Sequence, residues 1–181
     1  SYHVVRRSML ANFENFGMAI DEDTIRTFLG PPFEETVAKY FPREKLTDVR
    51  DFFSKFYEEN AVFDLDVYDG IPETLEALKA AGYELYVATS KREEIAIDVA
   101  KYFDLYKYFD RVFGAGKTER RKKEDVLAYG LAEAGATPKD SLMIGDTVYD
   151  LKGAYLCGVP CVFAAYGYGP EEQVTEYPYV F

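Results

Sequence analysis

Two aspartates stand four residues apart in the segment MIGDTVYD, at residues 143–150. Asp146 and Asp150 follow a short apolar run, at the point where a buried strand would end and a helix would begin. A four-residue spacing puts both carboxylates on one side of a helix, close enough to share a hard cation such as Mg²⁺ through oxygen ligands and water. The same spacing suits helix capping, because acidic side chains are stabilised at a helix N-terminus. The pair alone leaves both interpretations open.

A hydroxyl and an amine elsewhere in the chain have the chemistry to complete an anion site beside these acids. Ser90, flanked by Thr89 and Lys91 in the segment ATSK, ends a second apolar run and can donate to a phosphate oxygen. Lys123, at the end of the basic cluster RRKK, can neutralise such an oxygen as a point charge. These residue types together predict a site for Mg²⁺ and a small phosphorylated ligand.

Strands that alternate with helices are expected to place these residues at one edge of a sheet. Apolar strands are predicted at residues 84–89, 111–114, 141–145 and 160–164, with amphipathic helices between them. This alternation predicts an α/β fold with a parallel sheet that helices cover on both faces. Ligands bind beyond the carboxyl ends of the strands in such sheets, so we expect the acids, the hydroxyl and the amine to meet there.

The first third of the chain has a helical pattern instead. Val5, Met9 and Phe13 recur at four-residue steps, and Gly17 is expected to end the first helix. We therefore predict two domains, a small helical bundle at residues 1–68 and an α/β domain at residues 69–181.

Composition and charge exclude several classes of function. Hydrophobic residues make up 48% of the chain, which is typical of a packed globular protein. The formal net charge of -11 repels phosphate backbones, so no nucleic-acid partner is expected. No apolar stretch reaches membrane-spanning length, and the N-terminus is not signal-like, so no membrane partner is expected either. Cys157 and Cys161 lack a second Cys or His cluster that would complete a metal site, which fits a cytoplasmic protein.

Taken together, these motifs resemble those of the haloacid dehalogenase (HAD) superfamily, in particular its phosphoglycolate-phosphatase-like members with a helical cap. ATSK resembles the family's second motif, the segment RRKKEDVLAYGL its third, and IGDTVYD its fourth, while FLGPPFEETVAKYF resembles its cap. The lysine of the third motif is Lys123 or its neighbour Lys122. The resemblance covers nearly the whole chain and implies a Rossmann-like core at residues 69–181 with a cap at residues 1–68.

The resemblance implies a Mg²⁺-dependent phosphatase of small phosphomonoesters that works through an aspartyl-phosphate intermediate. Phosphoglycolate, a nucleotide and a sugar phosphate are all open as substrates, and a phosphomutase is a neighbouring possibility. A monomer or a homodimer is expected. The implied site comprises groups that hold the phosphoryl group (Thr89, Ser90, Lys91 and Lys123), a metal ligand (Asp146) and a residue that binds the metal or orients its shell (Asp150).

One part of the family pattern has no counterpart at the N-terminus of this sequence. The family's first motif, Asp-x-Asp-Gly-Thr on the opening strand, supplies a nucleophilic aspartate and an acid/base aspartate. The segment VFDLD at residues 62–66 imitates it, but no Gly-Thr follows, so we interpret it as a linker. We expect that the chain is a shortened form of a longer protein. The alternative is a catalytically silent relative that binds phosphate or a partner.

The segment GAGKT at residues 114–118 is a second imitation, in this case of a phosphate-binding P-loop. That motif requires a glycine five positions before Gly116, where Arg111 stands. An NTPase is therefore the weaker of the two enzyme hypotheses.

Overall fold

The computed structural model describes residues 2–29, 31, 33–60, 65–116, 119–169, 171–178 and 180. The chain divides into two compact units, Ser1–Ile71 and Pro72–Phe181. The first unit is helical, and the second alternates strands with helices. The roles that the sequence predicts for residues 1–68 and 69–181, a cap and a catalytic core, stay predictions.

The first unit is built from helices that pack around aromatic side chains. Helix α1 packs against α2 and α4, and α3 packs against α4. The ring of Phe13, on α1, contacts Phe28 and Phe41 edge-on and is 1% exposed. The predicted spacing thus places Met9 and Phe13 in this core. The helices are α1 (Tyr2–Asn15), α2 (Glu22–Arg26), α3 (Phe33–Val37) and α4 (Leu46–Asn60).

The second unit follows the predicted order of strands and helices. Its elements are α5 (Ile71–Ala80), β1 (Tyr86–Arg92), α6 (Glu93–Tyr102), β2 (Arg111–Ala115), α7 (Lys123–Ala134), β3 (Met143–Gly145), α8 (Val148–Leu156) and β4 (Cys161–Phe163). The predicted α/β class is confirmed. β1 ends three residues later than predicted, because it includes Ser90, Lys91 and Arg92, which follow the predicted strand at residues 84–89.

The four strands form two parallel pairs, and not one continuous sheet, over the described residues. Tyr86 of β1 lies opposite Arg111 of β2, and Met143 of β3 lies opposite Cys161 of β4. β1 and β3 each have a single strand neighbour in the part of the chain that the structure describes. This arrangement leaves Ile144 in β3 57% exposed, although a strand covered on both faces was expected.

Helices α7 and α8 connect the two strand pairs. α7 packs against β1, β2 and α8. Leu127 of α7 and Leu151 of α8 belong to one buried cluster, and both Ala88 of β1 and Met143 of β3 pack against it. The first residues of α7 and α8 are therefore held close to the ends of β1 and β3.

A carboxylate fixes the beginning of β1 against the beginning of β2. Asp110 accepts hydrogen bonds from Lys79 Nζ at 2.8 and 2.9 Å and from the Leu85 amide at 2.8 Å. The Asp110 amide donates in turn to the Leu85 carbonyl oxygen at 2.8 Å. The hydrogen bond from Lys79, followed by that from the Leu85 amide, lowers the pKa of the Asp110 carboxyl below its ordinary value.

We predict that Asp110→Asn reduces stability near pH 7 and has no effect in acid. A carboxyl whose pKa is lowered by folding stabilises the protein above its unfolded-state pKa of about 4 and loses that effect as pH falls through the folded-state pKa. Both partners are more than a third exposed, so we expect a loss of about 0.5 kcal/mol at pH 7. Urea unfolding at pH 7 and pH 2.5, about 1.5 units below that value, measures it. Asp98→Asn, at an exposed position on α6, is the control; an equal effect of Asp110→Asn at both pH values would contradict the prediction.

Candidate active site

A buried ion pair joins three elements of the second unit. Lys123 Nζ lies 2.8 Å from Asp150 Oδ1, and the two side chains are only 12% and 7% exposed. The same ammonium donates to the Ala88 carbonyl oxygen of β1 at 3.1 Å. One side chain at the start of α7 therefore contacts both β1 and the first turn of α8.

Asp150 is also held from its own helix. Thr147 is the N-cap of α8, in an extended conformation, and its amide and hydroxyl donate to Asp150 Oδ2 at 3.0 and 2.8 Å. Both carboxylate oxygens of Asp150 are thus engaged by donors of this chain. The capping interpretation is correct for Asp150, and the ion pair adds a second role. The sequence analysis missed Thr147, although a threonine three residues before an acid is the pattern of a capping box.

Two glycines give the ion pair its space. A Cβ atom on Gly145 would lie 2.3 Å from the Asp150 Cβ, and one on Gly153 would lie 2.7 Å from the Lys123 Cγ. Side-chain atoms do not approach each other this closely, so a side chain at either position would displace the pair.

Asp146 has a different environment from Asp150. It follows β3 directly, is half-buried, and accepts a hydrogen bond from the Tyr168 amide on Oδ2 at 2.9 Å. Among the described residues, no donor engages its other carboxylate oxygen. Within the described part of the chain, Asp146 therefore has one carboxylate oxygen bound to a backbone amide and one without a donor.

The ATSK segment, residues 88–91, lies within β1, and Lys123 contacts the carbonyl oxygen of its first residue, Ala88. Ser90 is exposed and follows Ala88 by two residues, a span of about 7 Å in an extended chain. The Lys91 amide donates to the Thr89 hydroxyl at 3.2 Å within β1. The structure thus brings the end of β1 near Lys123, while the phosphate-binding roles of Thr89, Ser90 and Lys91 stay predictions.

The structure distinguishes the two candidate lysines. Lys122 is exposed at the N-cap of α7, and its amide donates to Asp125 Oδ2 at 3.3 Å. Lys123, one residue later, is the lysine that reaches Asp150. The geometry therefore favours Lys123 for the role that the third motif implies.

The donor set suits a Mg²⁺ ion that keeps most of its water. Mg²⁺ is commonly bound through one or two carboxylates and several waters. Asp146 offers such a carboxylate oxygen. Both oxygens of Asp150 are already bound by Lys123 and Thr147, so Asp150 suits a role in orienting the groups around the metal. No group of three or more His, Cys, Asp or Glu residues able to hold a metal occurs among the described residues.

Neither of the two imitations forms a catalytic site in the described residues. The Gly114 amide, which a P-loop would direct at a phosphate, donates to Glu93 Oε2 at 3.1 Å, and Arg120 donates to the same oxygen at 3.1 Å. Lys117 and Thr118 lie outside the described residues. In the VFDLD segment, residues 62–64 also lie outside them, and Asp66 is exposed and belongs to no strand.

The cysteines have no feature of a metal or nucleophile site. Cys161 is buried, and burial raises the pKa of its thiol to about 11. Burial also raises the pKa of the Cys157 thiol. Both thiols are therefore neutral near pH 7, when a metal ligand or a nucleophile would need to be a thiolate.

No helix in the described part of the chain is long and apolar enough to cross a membrane.

Comparisons with known proteins agree with the sequence motifs. The model of the haloacid dehalogenase-like hydrolase family matches residues 2–164. A 5'-nucleotidase from Pseudomonas aeruginosa is 33% identical over 87% of this chain and 74% of its own length. The tyrosine-protein kinase PtkA from Mycobacterium tuberculosis is 30% identical over 94% of this chain, which spans 60% of that relative. Phosphoglycolate phosphatases at 29 to 30% identity are also among the relatives.

A solved structure shows the same fold. A predicted phosphatase from Clostridium acetobutylicum superimposes with a TM-score of 0.90 at 30% identity, over 98% of this chain and 85% of that one. The resemblance, the fold class and the prediction of a HAD-type hydrolase are thereby confirmed.

We predict that Asp150→Asn destabilises the protein by about 3 kcal/mol, because it leaves the Lys123 ammonium buried without a counter-charge. Lys123→Met should lower the free energy of unfolding by a comparable amount, since it leaves the Asp150 carboxylate buried without a counter-charge. The double variant should lose less than the sum of the two, because neither charge is then left alone. Urea denaturation of the four proteins measures the coupling. Additive losses would contradict a buried ion pair at this position.

Proposed function

Because the chain belongs to the haloacid dehalogenase-like hydrolase family, we propose that it is a Mg²⁺-dependent phosphatase of a small phosphomonoester. The observation that carries this proposal is the buried Lys123–Asp150 pair, which holds an ammonium between Ala88 of β1 and the first turn of α8, four residues after Asp146 in the chain. An ammonium and a carboxylate with one oxygen that no described donor engages suit a phosphate ester and a hard cation.

Lys123 is the proposed anchor of the phosphoryl group. An ammonium has three N–H donors, and two of them are directed at Asp150 Oδ1 and the Ala88 carbonyl oxygen. No acceptor among the described residues takes the third, which we assign to a phosphate oxygen. Asp150 fixes the position of the ammonium, while the exposed Ser90 hydroxyl is the proposed second donor.

Asp146 is the proposed metal ligand, through the carboxylate oxygen that the Tyr168 amide does not engage. When bound, Mg²⁺ supplies charge neutralisation for the transferring phosphoryl group. Asp150 orients the surroundings of the metal through its contacts with Thr147 and Lys123, and does not itself need to coordinate.

The covalent step is assigned by resemblance to the family. It calls for two aspartates on a strand between β1 and β3, one to form the aspartyl-phosphate and one to protonate the leaving group. The edges of β1 and β3 that are unpaired within the described residues support a position for such a strand. A HAD-like protein that binds phosphate or a partner without turnover is the alternative if no such strand is supplied.

The substrate class is proposed from the relatives. Their names, 5'-nucleotidase and phosphoglycolate phosphatase, favour a small phosphorylated metabolite, with nucleotides, phosphoglycolate and sugar phosphates as candidates. The proposal includes a monomer or homodimer in the cytoplasm. Sedimentation and a substrate panel would test the two parts separately.

A second candidate is phosphoryl transfer to protein tyrosine, because a relative over 94% of this chain is named a tyrosine-protein kinase. It differs from the leading proposal in requiring ATP as donor and a tyrosine as acceptor. Phosphotyrosine formation from ATP, without release of phosphate from monoesters, would favour it.

We predict that the complete protein hydrolyses p-nitrophenyl phosphate with Mg²⁺ and loses that activity without the metal. Asp146→Asn should lower kcat by at least about 100-fold, since it weakens electrostatic stabilisation at the reacting phosphate. Asp98→Asn, an exposed aspartate on α6, is the matched control and should keep full activity. Phosphate release and a nucleotide and phosphoglycolate panel are the measurements.

Full turnover by Asp146→Asn would show that the proposed site is wrong. Turnover by the 181-residue form alone would remove the need for a further strand. Inactivity of the complete protein on every monoester, with phosphate still bound, would favour the silent alternative.

A further inference from the structure

Two consecutive backbone amides of one loop donate hydrogen bonds to the side chain and to the main chain of Asp146. The Tyr168 amide donates to Asp146 Oδ2 at 2.9 Å. The next amide, that of Gly169, donates to the Asp146 carbonyl oxygen at 2.8 Å. The side chain and the main chain of Asp146 are thus held by neighbouring residues that lie 22 and 23 positions further along the sequence.

The glycines on either side of Tyr168 allow this approach. A Cβ atom on Gly167 would lie 2.1 Å from the Asp146 Cβ and 2.3 Å from its Oδ2. On Gly169 it would lie 2.2 Å from the Asp146 carbonyl oxygen. Neither glycine has a positive φ, so the backbone conformation does not require glycine here. Glycine is required because the loop backbone approaches Asp146 too closely to leave room for a side chain.

The loop is itself anchored to the end of β3. The Ala164 amide donates to the Gly145 carbonyl oxygen at 2.8 Å, and the Gly167 amide donates back to the Ala164 carbonyl oxygen at 2.9 Å. The chain therefore leaves β4 beside the residue that precedes Asp146 and turns directly over that aspartate.

We propose that residues 167–169, the clamp, are a positioning element that orients the Asp146 carboxylate toward its cation. The clamp commits Oδ2 to the Tyr168 amide, fixes the peptide of Asp146 through Gly169, and leaves Oδ1 as the oxygen that binds Mg²⁺. It thereby replaces the rotamer freedom of an aspartate in a turn with one orientation before the ligand arrives. The inference rests on the proposed function of Asp146 as a metal ligand.

The test compares two substitutions at one residue. Tyr168→Ala and Tyr168→Pro both remove the ring, but only Tyr168→Pro removes the amide that binds Oδ2. The clamp predicts that the Mg²⁺ dissociation constant of Tyr168→Pro exceeds that of Tyr168→Ala by about tenfold, as for the loss of one hydrogen bond to a charged group. Calorimetric titration of the complete protein with MgCl₂, without substrate, measures it.

Kinetics provide a second measurement, which would not differ between the two variants if the clamp were purely structural. Between the same two variants, kcat at limiting Mg²⁺ should fall about tenfold and recover at saturating Mg²⁺, because the fault lies in cation binding. The KM for p-nitrophenyl phosphate at saturating Mg²⁺ should differ by less than about twofold, since the groups that hold the phosphoryl group are intact. Equal Mg²⁺ affinity and equal kcat in the two variants would overturn the clamp.

Amide hydrogen exchange of the wild-type protein keeps the proposal testable if Tyr168→Pro does not fold. The Tyr168 amide should exchange at least about tenfold more slowly than an unprotected amide, and more slowly still with Mg²⁺. Exchange at the unprotected rate overturns the clamp. Failure of the proposed function is a separate result. It would appear as wild-type protein that does not turn over a phosphate ester, independently of the hydrogen exchange of the Tyr168 amide and of the MgCl₂ titrations.

Discussion

The arrangement of the second unit depends on the ion pair between Lys123 and Asp150. Removing one partner of a buried pair leaves an uncompensated charge, which costs about 3 to 5 kcal/mol, a large fraction of the roughly 5 to 15 kcal/mol by which a domain is stable. The ion pair and its hydrogen bond thus hold the start of α7, the first turn of α8 and Ala88 of β1 in contact. A cation at the edge of the strands is the chemical result of that constraint. The packing of α7 against α8 supports the same geometry from the apolar side.

The two aspartates of the GDTVYD segment have different surroundings. Asp150 is buried and saturated by donors, so it acts on Lys123 and on the helix terminus. Asp146 is half-buried, with one oxygen held by a backbone amide and one that no donor of the described residues engages. Asp146 precedes α8 and Asp150 lies in its first turn, so two carboxylates four residues apart differ because of what each is packed against.

Much of this organisation was predictable from the sequence because it is local. The periods of the apolar residues gave the order of strands and helices, and the positions of Ser90, Lys123 and Asp146 at strand ends or a helix start gave the candidate site. The division into two strand pairs was not evident, because strand pairing joins distant segments. The contact of Tyr168 with Asp146 was missed for the same reason, since nothing local in Gly-Tyr-Gly indicates which residue it will cover.

The order of the elements has a consequence for how the second unit is assembled. β1 and β2 are separated by α6 and a short turn, and β3 and β4 by α8, so each pair closes only a short loop and can form early. α7 comes between these two halves in the chain and contacts both. α7 therefore joins the two halves, and its packing is also what buries the Lys123 side chain. We expect partly folded molecules in which α7 is not docked to lack the proposed anion site.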